Sequence, residues 1–311
     1  MMSQQTYKFR NYLPSDFDEY VKLHAEAERT DRPGRRISRQ NLWENLQRPL
    51  YYPEKDLFIA VASGKIVGFL SITPEFVTRR VLLDCLVHPA HRRKGLAKRL
   101  LDQATQRTRE LPVEIIHVSV PEKNSIAREA LSRMGFRMVR QFFEMTLPLN
   151  APKLPDTSRN EFTLRHLQRG EEANLAEVQN RCFRDTWGFN PNTPEEIIYS
   201  LGLSNAATED VVIVYDGNRA VGYCWTKING ETGVERDERK GRILMLGVDP
   251  DYRGQGIGKL ALQAGLSYLQ GKQVKTVELT VDSENYAAYS LYKSSGFQVM
   301  TRSLYYEKRI D

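Results

Sequence analysis

At 311 residues with 41% apolar and 10% aromatic side chains, the chain has material for two ordinary globular cores, and no apolar run nears the ~20 residues that span a bilayer. The opening MMSQQTYKFRNY lacks the charged-then-apolar pattern of a leader, and Cys85, Cys182 and Cys224 stand in no metal or redox spacing. A cytoplasmic protein with reduced cysteines and no bound metal is therefore expected.

In chain order, the first half reads as a strand at Phe9-Arg10, two helices, a strand hairpin through Val67-Gly68, and a strand ending at Val87. A loop follows, Arg92-Arg93-Lys94-Gly95-Leu96-Ala97, then a helix and a strand. Asn124, with Ala127 three residues on, opens a second helix through Ala130-Leu131, which Gly135-Phe136 closes. Residues 1–150 hold 25 of the 45 Lys+Arg and 17 of the 39 Asp+Glu, a net +8, against −2 for the rest. The excess gathers at Arg29–Arg39 and at the loop. Without a recognition motif beside it, it reads as a solvated segment plus an anion cradle, and nucleic acid is not expected. Pro148, Pro152 and Pro155 then mark an extended join.

The second half repeats the first. Gly95 and Gly256 are 161 apart, as are Asn124 and Asn285, while Val67 and Val221 are 154 apart, so seven extra residues lie in Gly230–Gly241. Its first two helices are expected at Glu171–Arg184 and Pro194–Leu203, joined by Asp185, Trp187 and Phe189. A strand, Ile243 to Val248, runs into an Asp249-Pro250 turn and glycines at 254, 256 and 258. A helix with Leu262, Leu266 and Leu269 on one face then follows. Oriented amides, a helix N-terminus, Arg253 and Lys259 together make a site for a diphosphate. A strand, Thr276 to Val281, leads into a helix on which Asn285, Ala288 and Tyr292 share a face, and Gly296-Phe297 ends it.

No Gly-Lys-Ser/Thr closes the loop, and its strand lies deep in a domain, which sets aside the Walker and dinucleotide loops. Val-Asp-Pro with Arg253-Gly254-Gln255-Gly256-Ile257-Gly258, followed by Asn285, Ala288, Leu291-Tyr292 and Gly296-Phe297, resembles the GNAT superfamily of acyl-CoA N-acyltransferases. The resemblance covers nearly the whole chain. It implies an α/β (α+β) fold of two tandem GNAT domains, each a mixed, mostly antiparallel sheet flanked by helices. They are expected at 1–150 and 160–311, with 151–159 as linker. It further implies coenzyme A contacts from Leu246, Gly247, Val248, Arg253, Gly254, Gln255, Gly256, Ile257, Gly258, Lys259 and Asn285. In the first copy the matching contacts are Cys85, Leu86, Val87, Arg93, Lys94, Gly95, Ala97 and Asn124.

By the same resemblance Tyr292 is the catalytic acid, and Leu131 occupies its place in the first copy. The expected reaction is acetyl transfer from acetyl-CoA to a small-molecule primary amine, catalysed in the second copy only, with the first copy retaining a coenzyme A site. Protein N-acetylation and non-catalytic acyl-CoA sensing remain as alternatives. The tandem layout is similar to that of mycothiol synthase and its relatives, although Gly241-Arg242 stand where that group has an acidic residue for its amino sugar. The general base is unassigned, with Glu231, Glu235, Asp237 and Glu238 nearest in sequence.

Overall fold

The computed structural model describes residues 6–31, 37–149, 161–229 and 239–310. The chain divides into two compact units, Met1–Val139 with Tyr305–Asp311, and Arg140–Leu304. The first contains β1 (Lys8–Asn11), α1 (Phe17–Asp31), α2 (Arg39–Leu46), a single turn α3 (Pro53–Asp56), β2 (Leu57–Ala62), β3 (Lys65–Glu75), β4 (Arg80–Val87), α4 (Leu96–Thr108), β5 (Ile115–Pro121) and α5 (Ser125–Arg133). After β6 (Arg137–Pro148) the second repeats the order as β7 (Thr163–His166), α6 (Glu172–Phe183), α7 (Pro194–Leu201), β8 (Val211–Asp216), β9 (Arg219–Asn229), β10 (Lys240–Val248), α8 (Ile257–Gly271), β11 (Thr276–Asp282), α9 (Tyr286–Ser294) and β12 (Gln298–Arg309).

The expected element order is present, with small corrections at ends: α6 stops at Phe183, α7 at Leu201, and α8 starts one residue before Gly258. In each unit four strands pair antiparallel, β1 to β4 and β7 to β10; tight hairpins join β2 to β3, β3 to β4 and β8 to β9, while helices connect β1 to β2 and β7 to β8. A strand–helix–strand crossover then makes the next pair, β4/β5 or β10/β11, parallel.

The division between units lies inside β6 and β12. Residues from Phe142 to Pro148 pair with β11 in the second unit. In the first unit, Glu307 of β12 joins His117 of β5 at 3.2 Å and Arg137 at 2.8 Å. Each repeat thus ends in a strand whose later residues complete the other repeat's unit. Pro148, expected in the join, instead ends β6 opposite Thr276, and residues 150–160 lie outside the described residues.

Two cores sandwich the second unit's sheet. One face packs Val277, Leu279 and Val281 of β11 and Met145 of β6 against Leu262, Leu266 and Leu269 of α8. The other packs Val211, Ile213, Tyr223 and Trp225 against Leu175, Val178 and Cys182 of α6 and Ile197 of α7. Helix α8 lies so close to β9 that a Cβ on Gly265 would stand 2.4 Å from Cys224 Sγ and 3.2 Å from Thr226 Cγ2. Gly265→Ala is therefore expected to cost about 1–3 kcal/mol despite alanine's better helix propensity, read as a lower urea midpoint at unchanged slope. Among the described residues no helix is long and apolar enough to cross a membrane.

Candidate active site

Strands β10 and β11 pair only between Lys240–Arg242 and Thr276–Glu278. Beyond that point β10 stays with β9 as far as Val248, while β11 stays with β6 as far as Asp282. The two strands therefore part, and one edge of residues 243–248 has no strand partner among the described residues. A bulge between Ile243 and Met245 marks the point of separation and re-aims the backbone there. In the first unit β4 and β5 also part, after Leu83/Val118, but β4 pairs β3 from Arg80 to Val87 with no bulge. An edge of unpaired N–H and C=O groups in such a cleft suits an extended amide-bearing ligand, which adds like a strand.

The cleft in the second unit leads to a loop whose backbone is open to a ligand. Gly254 has φ +79° and Gly256 φ +83°, and a Cβ built on either meets nothing within 4 Å. Gly256 is the N-cap of α8 and supplies no capping side chain, so the first-turn N–H groups lack one. They face the loop with the positive end of the helix dipole behind them. The first copy holds the same shape, with Arg93 at φ +61° and Gly95 at +78°. An arginine in this left-handed region costs about 1–2 kcal/mol that Gly254 avoids. Gly258 has an ordinary helical backbone, and a Cβ there would sit 3.4 Å from Leu291 and 3.6 Å from Val248. Plain van der Waals room at this position accounts for Ala97 in the first copy.

Asp249 locks the turn between strand and loop. It is 2% exposed, accepts the Asp251 N–H at 3.2 Å, and takes Arg181 and Arg219 at 3.1 Å each. Burial alone would raise its carboxyl, but the Asp251 N–H and the two guanidiniums outweigh it and hold the group below the usual carboxylate range. Arg253 is tied down as well, donating to the Cys182 carbonyl at 3.0 Å. A depressed folded-state pKa stabilises above the unfolded value, ~3.9, and is lost as pH falls through the folded one. Asp249→Asn is therefore expected to lower stability at pH 7 by about 1–3 kcal/mol, with the gap to wild type narrowing as the pH falls below ~3.9, as parallel urea titrations would show.

The second half of the motif has a local cause. Asn285 Oδ1 accepts the Ala288 N–H at 3.1 Å as the N-cap of α9, and Asn124 does the same for Ala127 in α5. Gly296, at φ +94°, lets the Phe297 N–H reach the Tyr292 carbonyl at 3.0 Å, which closes α9 as a Schellman turn. The Phe297 ring then packs edge-on against Tyr292, 5.8 Å between centroids. Asn-x-x-Ala and Gly-Phe thus begin and end the helix that holds Tyr292. That side chain is 6% exposed, and burial, then the nearby Cys224, raise its hydroxyl well above the phenol range. It stays protonated at physiological pH. Leu131 takes its place in α5.

On the α6 side of the sheet the floor beyond β10 is polar. Thr280 donates to Glu144 at 2.8 Å, Ser303 donates to Glu144 at 3.0 Å, and Arg242 donates to Thr280 at 2.5 Å. Arg140 holds Asp282 at 2.9 Å. Trp187, from the α6–α7 link, lies over this floor with its ring 6.1 Å from Phe142 and 5.5 Å from the Arg140 guanidinium. Phe189 instead stacks on Phe183 at 5.4 Å, and Asp185 points to solvent beside Arg184. Glu231, Glu235, Asp237 and Glu238 lie outside the described residues. Sequence reasoning missed Glu144, the one carboxylate in β6, because that strand belongs to the other repeat.

Residues 17–136 and 173–297 each match the model of the acetyltransferase (GNAT) family. The chain belongs to that family. It is 26% identical over 302 residues to a mycothiol acetyltransferase of Streptomyces bingchenggensis (strain BCW-1), covering 94% of this chain and 93% of the relative. To the mycothiol acetyltransferase of Stackebrandtia nassauensis it is 28% identical over 264 residues, 83% and 84% of the two chains. Among solved structures it is similar to a tandem GNAT protein from the clavulanic acid biosynthesis pathway (TM-score 0.76, 16% identity, 98% and 99% coverage). It is likewise similar to a GCN5-related N-acetyltransferase from Sphaerobacter thermophilus (0.75, 22%, 98% and 96%).

The fold is that of two tandem GNAT domains, each with a mixed, mostly antiparallel sheet. In the second GNAT domain the strand Leu246-Gly247-Val248 and the loop Arg253 to Lys259 follow one another along β10 and into α8. Gly247 also lets α6 approach, since a Cβ on it would stand 2.8 Å from Cys182 Cβ and from the Tyr223 ring. In the first domain Cys85, Leu86 and Val87 end β4, and Arg93, Lys94, Gly95 and Ala97 form the equivalent turn into α4. Asn285 and Asn124 stand at the N-termini of α9 and α5 with their side-chain oxygens already engaged.

Proposed function

We propose that the second domain transfers an acetyl group from acetyl-CoA to a primary amine by direct attack. The observation that carries this reading is the juxtaposition, in one unit, of a parted strand pair, an uncapped glycine loop and a buried, protonated Tyr292. The loop amides from Gly254 to Lys259, with Lys259 itself, would hold the diphosphate. The unpaired edge of Leu246, Gly247 and Val248 would hold the pantetheine amides, and the re-aimed backbone at the bulge would present an N–H to the thioester oxygen. Asn285 fixes the start of α9 beside that ligand through its cap.

Attack needs an uncharged nitrogen, while an alkyl amine resembles lysine with a pKa of ~10.4, so the site must take one proton from the acceptor. The departing sulfur needs a donor, and a hydroxyl raised by burial arrives protonated on every turnover. Tyr292 fills that role. The first domain repeats the ligand-binding shape through Cys85, Leu86, Val87, Arg93, Lys94, Gly95, Ala97 and Asn124. Leu131 supplies no proton and its β4 has no bulge, so the domain is assigned coenzyme A binding without turnover.

The acceptor is a small molecule, a reading supported by relatives named as mycothiol acetyltransferases. Arg242 stands where the resemblance expects an acidic residue, so the resemblance does not assign which amine is accepted. Thiol release from acetyl-CoA, measured over a panel of amines, amino sugars and peptides, tests the proposal. Acceptor-dependent release supports it, and binding without release on any of them would favour an acyl-CoA sensor instead.

A further inference from the structure

Resting on that reading, we infer that the Glu144 carboxylate binds the ammonium group of the acceptor. Residues 143, 145 and 147 of β6 face the α8 core, so Glu144 turns to the opposite, α6 side of the sheet, together with Thr280 and Arg242. Thr280 lies two residues beyond Glu278, the last residue of β11 paired with β10. The carboxylate therefore stands beside the mouth of the cleft, where the thioester would be attacked.

Other acids on this face are paired more closely with cations: Asp282 with Arg140 at 2.9 Å and Glu278 with Lys240 at 3.5 Å. Glu144 has the longest of these ion pairs, 3.8 Å to Arg242, which gives its hydrogen bond to Thr280 instead. The hydrogen-bond donors to Glu144 are two neutral hydroxyls, one on each oxygen, which fix the carboxylate and leave about two of its four lone-pair directions for a ligand. Its side chain is 29% exposed, enough for an amine to reach it from solvent. A charge-assisted contact there orients the nitrogen before it loses its proton.

The test uses the full-length protein, Glu144→Gln and Glu144→Asp, with benzylamine as an acceptor that is cationic at neutral pH and aniline as one that is uncharged. Expected is a KM for benzylamine raised at least tenfold in Glu144→Gln, with the KM for aniline, kcat and acetyl-CoA affinity little changed, and Glu144→Asp restoring much of the loss. Equal shifts for both amines would mean a structural role, and no shift for either would mean no role; both overturn the inference while leaving the acetyltransferase reading intact. A wild-type protein that binds acetyl-CoA but releases thiol with no amine would overturn both.

Discussion

Tyr292→Phe is expected to leave acetyl-CoA binding intact and to slow acceptor-dependent thiol release roughly 10²-fold or more. The substitution keeps the ring packed against Phe297 and removes only the hydroxyl, so α9 and its Schellman turn persist. Folding should change little, since the lost group is one buried hydroxyl. Single-turnover kinetics separate the outcomes. A drop in kcat with unchanged Kd marks a donor to the departing sulfur, and an unchanged kcat would reduce Tyr292 to a packing aromatic.

The second large effect concerns the loop. Gly256→Glu should abolish acetyl-CoA binding in the second domain while the fold survives. The new side chain must accept φ +83°, at a cost of about 1–2 kcal/mol. A carboxylate at a helix N-terminus recovers about 0.3–1 kcal/mol from the dipole. The same carboxylate occupies the place where a diphosphate would bind and repels it, so the affinity loss should exceed 10²-fold by the tenfold-per-1.4 kcal/mol rule. Calorimetric titration should show one fewer site than wild type with an unchanged circular dichroism spectrum. Full retention of binding would refute the cradle. The matching variant Gly95→Glu addresses the first domain in the same titration.

Much of the fold was legible in the sequence because glycines and caps are local signals. Gly254 and Gly256 announce a left-handed loop, Asn285 a helix start, and Gly296 a helix end, and the repetition of Gly256, Asn285 and Gly296 161 residues earlier doubles the evidence. What stayed hidden depends on partners distant in sequence. The bulge at Ile243/Met245 has no composition cue, since it exists only in the register with Trp225 and Thr226. Alternation in β6 tells which of its residues share a face but not which strand lies beside them, so nothing in the sequence brings Glu144 beside Thr280 of the other repeat. The basic Arg242 was noticed as a departure, and the structure gives it a partner in Thr280.

The crossed ends of β6 and β12 bear on how this gene can be divided. A break in the proline-rich join would leave each polypeptide half short of residues that its own unit uses: 140–148 for one, 305–311 for the other. Expressed alone, the second half would present β11 with an unpaired edge carrying Val277, Leu279 and Val281, the kind of edge that aggregates. Produced together from two cistrons, the halves should reassemble into active enzyme. Neither copy carries all the residues of its own unit, so the first domain is needed to complete the second's sheet whatever it binds itself.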